Sequence, residues 1–210
     1  DATLPESAHD FGRNIIPSLI NTHRLMAFPF QDENKKRDAY WRDVGTLDAY
    51  YQANIELTGV QPLLNVYDQH WPVRTAQPNL PPPKFVFNEE GGRRGADNDS
   101  IIAAGTIVSG GKVVGSVVGP EVRIEERAEV TESILFGGVR IGRGAIVRRS
   151  IIDKNVVIPD GAQVGVDLDR DRLRGFTVSE GGVVVVPKIE GVDELFAPEQ
   201  NNHVRKVVSK

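Results

Sequence analysis

The chain has 210 residues, 40% of them apolar and 26% charged, the profile of an ordinary globular protein with room for one large or two small domains. A formal charge of −4 argues against a nucleic-acid binder, which carries a basic face. The absence of cysteine excludes disulfides, thiolate metal sites and cysteine nucleophiles and suits a cytoplasmic protein, and no apolar run approaches the roughly 20 residues that span a membrane.

The N-terminus, DATLPESAHD, is acidic and has no apolar signal-peptide core. It does not begin with Met, so the chain reads as a piece of something longer. HDFGRNIIPSLINTH (9–23) predicts a short helix carrying Phe11, Ile15, Leu19 and Ile20. LMAFPF (25–30) predicts a strand, at an edge or bulge because of Pro29. QDENKKRD (31–38) reads as a charged turn, and AYWRDVGT (39–46) as a strand that ends in a turn at Gly45. Thr46 is placed to N-cap a helix over 47–57. Alternating strands and helices make residues 1–70 an α/β segment, too short for a complete nucleotide-binding sheet. Neither GxGxxG nor a P-loop occurs anywhere in the chain.

Asp43 is the residue of this segment with chemistry to offer. A carboxylate at the end of a strand, just before a helix, sits where α/β sheets bind ligands. The plainer readings are a surface pair with Arg42 or a cap on the turn. Trp41 and Tyr40 suit a core as well as a ligand platform.

HWPVRTAQPNLPPPKF (70–85) is Pro-rich and extended, and NEEGGRRGADNDS (88–100) reads as a mobile polar loop. Residues 71–97 are therefore expected to be linker and loop.

The chain then repeats with a period of 17, restarting on Val122, Val139 and Val156. Columns at that spacing are Ile107, Ile124, Ile141, Ile158; Gly111, Ala128, Ala145, Ala162; Val113, Val130, Val147, Val164; and Ser116, Ser133, Ser150. Apolar residues alternate within each coil, and glycines and Pro159 mark corners. Three short strands and three corners per coil make a solenoid, in which stacked coils bury what one coil cannot. A β-sandwich with accidental spacing is the competing reading, and the number of columns disfavours it. The pattern resembles the hexapeptide-repeat left-handed parallel β-helix over residues 98–190, its hand being taken from that resemblance. The fold class is thus mainly β, with an α/β remnant in front.

Two enzyme classes on such coils use histidine, as an acyltransferase base or as three zinc ligands. No histidine lies between residues 71 and 202, which disfavours both. DLDRDRLRG (167–175) reads as a short helical cap and FTVSEGGVVVVPK (176–188) as a hairpin or strand over the open end. Residues 191–210 read as a tail, with roughly the last ten disordered.

HDFGRNIIP, YWRDVGTLDAYYQAN, YDQHWPVRT, LPPPKFVF and SIIDKNVVIP, in that order, resemble the glucose-1-phosphate adenylyltransferase (ADP-glucose pyrophosphorylase) family over about residues 9–190. The resemblance implies an enzyme that joins ATP and glucose 1-phosphate into ADP-glucose and pyrophosphate with Mg²⁺, in glycogen synthesis. It maps a metal-binding, catalytic aspartate onto Asp43 and a residue beside the sugar-phosphate pocket onto Trp41. It maps basic positions for an anionic allosteric effector onto Lys154 and Lys188, and it implies a homotetramer when full length. The family's Gly-rich phosphate loop, second metal aspartate and sugar-phosphate lysine have no counterpart here, so the chain resembles the C-terminal half and is expected to be inactive alone. The alternative is a non-catalytic β-helix subunit that serves assembly or regulation.

Overall fold

Every coil of the repeat crosses three parallel sheets. The computed structural model of the protein describes residues 4–32, 37–76, 78–87, 94–189 and 191–196. They divide into two compact units, Asp1–Tyr40 and Trp41–Lys210.

In the first unit a π-helical turn, Phe11–Ile15, runs into helix α1 (Ile16–Leu19). Asp10 caps the turn, its carboxylate accepting the Arg13 N–H at 2.8 Å. Pro17 sits in the first turn of α1, where a missing N–H costs nothing. Strands β1 (Gln31–Asp32) and β2 (Arg37–Asp38) form an antiparallel ladder, so the expected charged turn is a hairpin. The strand expected over 25–30 is not found. A strand exists by virtue of a ladder, and no described ladder includes those residues, although the Ala39 N–H donates to Phe30 O at 3.5 Å. The strand expected over 39–46 is missing for the same reason, since no described ladder includes those residues.

The second unit holds the solenoid. Its first coil is β3 (Lys84–Val86), β4 (Ala96–Asn98) and β5 (Ile101–Ile102). The second is β6 (Ile107–Ser109), β7 (Lys112–Val114) and β8 (Val117–Val118). The third is β9 (Arg123–Ile124), β10 (Glu129–Thr131) and β11 (Ile134–Leu135). The fourth is β12 (Arg140–Ile141), β13 (Ile146–Arg148) and β14 (Ser150–Ile152), and the fifth opens with β15 (Val157–Ile158) and β16 (Gln163–Val164). Each strand pairs in parallel with its counterpart one coil away, giving three ladders.

The expected linker of 71–97 therefore contains two strands of the first coil. The run Pro81–Pro83 has no N–H to give a ladder, so pairing begins at Lys84, whose N–H donates to Thr106 O at 2.8 Å.

The columns are the core. Val113, Val130, Val147 and Val164 stand in register and are fully buried. Burial of each such side chain contributes about 1.5–3 kcal/mol. One expected column is corrected. Val108, not Ile107, stacks beneath Ile124, Ile141 and Ile158, while Ile107 falls in line with the outward Arg123 and Arg140. The corner Ser109–Lys112 is one residue shorter than its equivalents, and that shifts the register there by one. Gly111 at this corner admits no side chain, since a Cβ would lie 2.7 Å from Glu125 O. The valine column ends below in Asp97, which is in register with Val113. Its Oδ1 is buried with no hydrogen-bond partner.

The serine column is a hydrogen-bond ladder. The N–H of Ser116 donates to Ser100 Oγ at 3.1 Å, that of Ser133 to Ser116 Oγ at 3.0 Å, and that of Ser150 to Ser133 Oγ at 3.2 Å. Each hydroxyl of the last three donates in turn to a carbonyl two residues back, at 2.6–2.8 Å. A corner that turns the chain out of one sheet thus leaves no amide unpaired.

After β16 the chain leaves the stack for helix α3 (Leu168–Leu173), capped by Asp167. Strands β17 (Thr177–Val178) and β18 (Val184–Val186) form an antiparallel pair, and β18 adds in parallel to β14. Asp171 of α3 is 1% exposed; its carboxylate accepts the Gly165 N–H at 2.8 Å and pairs with Arg174 at 3.1 Å. The Arg174 guanidinium also donates to Gln163 O and lies over the Phe196 ring. Residues Val192–Phe196 form a 3₁₀ turn whose Phe196 packs on Phe176, so the expected tail begins as ordered cap. The final ten residues, expected to be disordered, lie outside the described residues.

Candidate functional site

Helix α2 (Leu47–Ile55) follows Asp43 directly. Thr46 caps it as the sequence predicts, its hydroxyl accepting the Ala49 N–H at 3.1 Å. Asp43 is exposed, and its Oδ1 accepts the Gly45 N–H at 3.1 Å. This is the turn-capping geometry, and it fixes the carboxylate at the entry to α2. Arg42 reaches the other end of the helix, where it pairs with Glu56 and donates to Gln52 at 3.2 Å. Trp41 is 77% exposed, so it is not a core residue.

One face of α2 lies on the solenoid. Tyr51 is 4% exposed, packs with Ile134, Ile151 and Val183, and donates its hydroxyl to Glu132 O at 2.6 Å. The Arg149 guanidinium lies 5.5 Å from the Tyr51 ring centre and donates to Gly181 O at 3.1 Å. Burial pushes the Tyr51 phenol up to about 12; the nearby Glu132 charge adds to this and Arg149 opposes it. Arg149 is thereby a structural residue. Asp48 reaches the β17–β18 turn, where Oδ1 accepts the Ser179 hydroxyl at 2.6 Å and Oδ2 the Gly181 N–H at 3.1 Å.

The two lysines come together at one corner. Ile152 and Val186 are paired on adjacent strands, and Lys154 and Lys188 each follow two residues later. The Asp153 carboxylate joins them, with Oδ1 accepting the Lys154 N–H at 2.7 Å and Oδ2 the Lys188 N–H at 3.2 Å. The Asp153 N–H donates to Val186 O at 3.0 Å. Both lysines are exposed, so two cations face solvent from neighbouring coils. Such a pair suits a phosphate-bearing anion. Sequence reasoning missed Asp153 and Asp48, because their partners lie 35 and more than 130 positions away.

Mg²⁺ takes one or two carboxylates together with phosphate oxygens. An exposed, turn-anchored Asp43 fits as one such ligand. Among the described residues no group of three His, Asp or Glu side chains forms a complete metal cage. No hydrogen bond or ion pair links Asp43 to either lysine among the described residues, so the structure shows two separate places. No helix among the described residues is long and apolar enough to cross a membrane.

The family model described as "GlmU-like, C-terminal hexapeptide" matches residues 81–186, and that described as "Nucleotidyl transferase" matches residues 2–59. The chain is 57% identical to a glucose-1-phosphate adenylyltransferase of Rhodopirellula baltica, over 90% of its own length and 43% of the relative's. It is 50% identical to the same-named protein of Koribacter versatilis, over 90% and 45%, and 48% identical to that of Cutibacterium acnes, over 90% and 46%. The chain thus spans less than half the length of these curated relatives.

Proposed function

The chain belongs to the GlmU-like C-terminal hexapeptide family, and from that premise we propose that it is the C-terminal portion of a glucose-1-phosphate adenylyltransferase. The intact enzyme transfers AMP from ATP to glucose 1-phosphate, giving ADP-glucose and pyrophosphate. One observation carries this reading. A single similarity to adenylyltransferases covers 90% of the chain, through both the segment of Asp43 and the solenoid.

In this reading the chain contributes three things. Asp43 is one carboxylate ligand of Mg²⁺, which when bound neutralises charge on the phosphates. Its exposure and its anchored turn support that role. Trp41 borders the sugar-phosphate pocket, and its exposed indole supports this. Lys154 and Lys188 bind an anionic effector, supported by their convergence on Asp153. The intact protein is a cytoplasmic homotetramer.

The test is ADP-glucose synthesis from ATP and glucose 1-phosphate by the intact protein, by its Asp43→Asn variant and by the 210-residue chain alone. The intact protein is expected to be active. The variant loses about 10²-fold or more, the scale of removing one electrostatic stabiliser, and the isolated chain is inactive. An inactive intact protein that still assembles would replace this reading with that of a non-catalytic β-helix subunit.

A further inference from the structure

Asp48 occupies the first turn of α2, where an acidic residue ordinarily serves its own helix N-terminus. Here both carboxylate oxygens are turned onto a distant segment. They accept the Ser179 hydroxyl and the Gly181 N–H, while Ser179 Oγ itself accepts the Val183 N–H at 2.9 Å. A Cβ on Gly181 would lie 2.5 Å from Asp48 Oδ1, so any side chain there would displace the carboxylate. The turn so held leads straight into β18, and β18 leads to Lys188. On the other side, Asp48 is two residues from the capping Thr46 and five from Asp43.

We propose that Asp48 is a positioning residue, which clasps the Asp43 segment to the β17–β18 turn and makes its placement depend on anion occupancy at Lys154 and Lys188. The inference rests on the functional reading above. An anion drawn between the two lysines fixes the end of β18 against the Asp153 corner. β18 runs from that turn to Lys188, so a movement at its end passes along the strand to the Ser179–Gly181 turn. The Asp48 carboxylate carries it to the first turn of α2. The Tyr51 and Arg149 contacts hold the rest of that helix face to the coils. The first turn, which meets the β17–β18 turn through Asp48, is therefore the part that follows it.

The experiment is hydrogen–deuterium exchange on the intact enzyme, wild type and Asp48→Asn, with inorganic phosphate and a sugar bisphosphate as probes. ADP-glucose synthesis is measured in parallel. In wild type the anion slows exchange at residues 150–156 and also alters it at residues 43–50. In Asp48→Asn the first response persists and the second is lost. The effect of anion on the rate then shrinks by about fivefold or more, the lower end of ordinary allosteric coupling. Ser179→Ala, which removes the shorter hydrogen bond and leaves α2 unchanged, gives the same outcome and decides the matter should Asp48→Asn not fold. A response at 43–50 that survives both substitutions overturns the clasp and leaves the enzyme reading intact. No response at 150–156 in wild type overturns the clasp together with the effector assignment. An intact wild type that makes no ADP-glucose overturns the functional reading itself, and the clasp falls with it.

Discussion

Asp153 and Lys188 lie 35 positions apart, and the carboxylate of the first accepts the backbone N–H of the second at 3.2 Å. The same carboxylate takes the Lys154 N–H through its other oxygen. One acidic side chain therefore ties together the backbones of two lysines that the sequence could only nominate separately.

Binding of inorganic phosphate to the intact protein, read by calorimetry, is expected to weaken in Lys154→Ala and in Lys188→Ala. The double variant is expected to lose less than the sum, with a coupling of about 0.5 kcal/mol or more, because the two ammonium groups share one anion. Asp153→Ala is expected to weaken binding as well, through lost alignment, although it removes a negative charge from the corner. Tighter phosphate binding by Asp153→Ala would show that charge and not alignment governs the site.

Ser133 sits in the middle of the hydroxyl ladder and is fully buried. Ser133→Ala leaves the buried Ser150 N–H without its acceptor, an expected loss of about 1–3 kcal/mol in chemical denaturation. Arg143→Ala supplies the contrast. Its pair with Asp160 is long, at 3.6 Å, and both side chains are well exposed, so the expected change is within about 0.5 kcal/mol of zero.

Asp171 gives a pH signature of unusual sign. Burial raises its carboxyl above the ordinary value of 3.8, against the Gly165 N–H bond and the Arg174 charge and hydrogen bond, which lower it, while the Asp167 charge raises it further. With the folded value above the unfolded one, the folded state holds more protons than the unfolded state between the two. The stability contributed by Asp171 is thus fully present below the unfolded value and is lost as pH rises through the folded one. Denaturation of wild type and Asp171→Asn at several pH values above 3.8 is expected to show wild type losing ground to the variant as pH rises. A difference that grows in favour of wild type with pH would mean that the Arg174 pair dominates.

The solenoid was legible because its signal is local and repeated. Val113, Val130, Val147 and Val164 share one environment, so a fixed period finds them without any three-dimensional knowledge. The one misplaced column, Ile107 for Val108, fails where a corner loses a residue and the period breaks. Thr46 was legible for the same reason, since its partner is Ala49. The strands expected over 25–30 and 39–46 were not, because alternation says that a segment can pair but not that a partner runs beside it. Asp48 and Asp153 were silent in the sequence, as each is an ordinary acidic residue until a segment far along the chain arrives next to it.

A stack of identical rungs has no intrinsic stopping point, and two copies of such a prism could join end to end into a fibre. The lower rung of the valine column answers this with Asp97. Its buried, unpartnered oxygen makes docking a further rung from a neighbour costly, because a polar atom would be sealed from water without a partner. At the opposite end, α3 and Phe196 cover the last coil with side chains that no strand can continue. A polar oxygen thus meets any added rung at one end of the stack, and a helix and an aromatic ring meet it at the other.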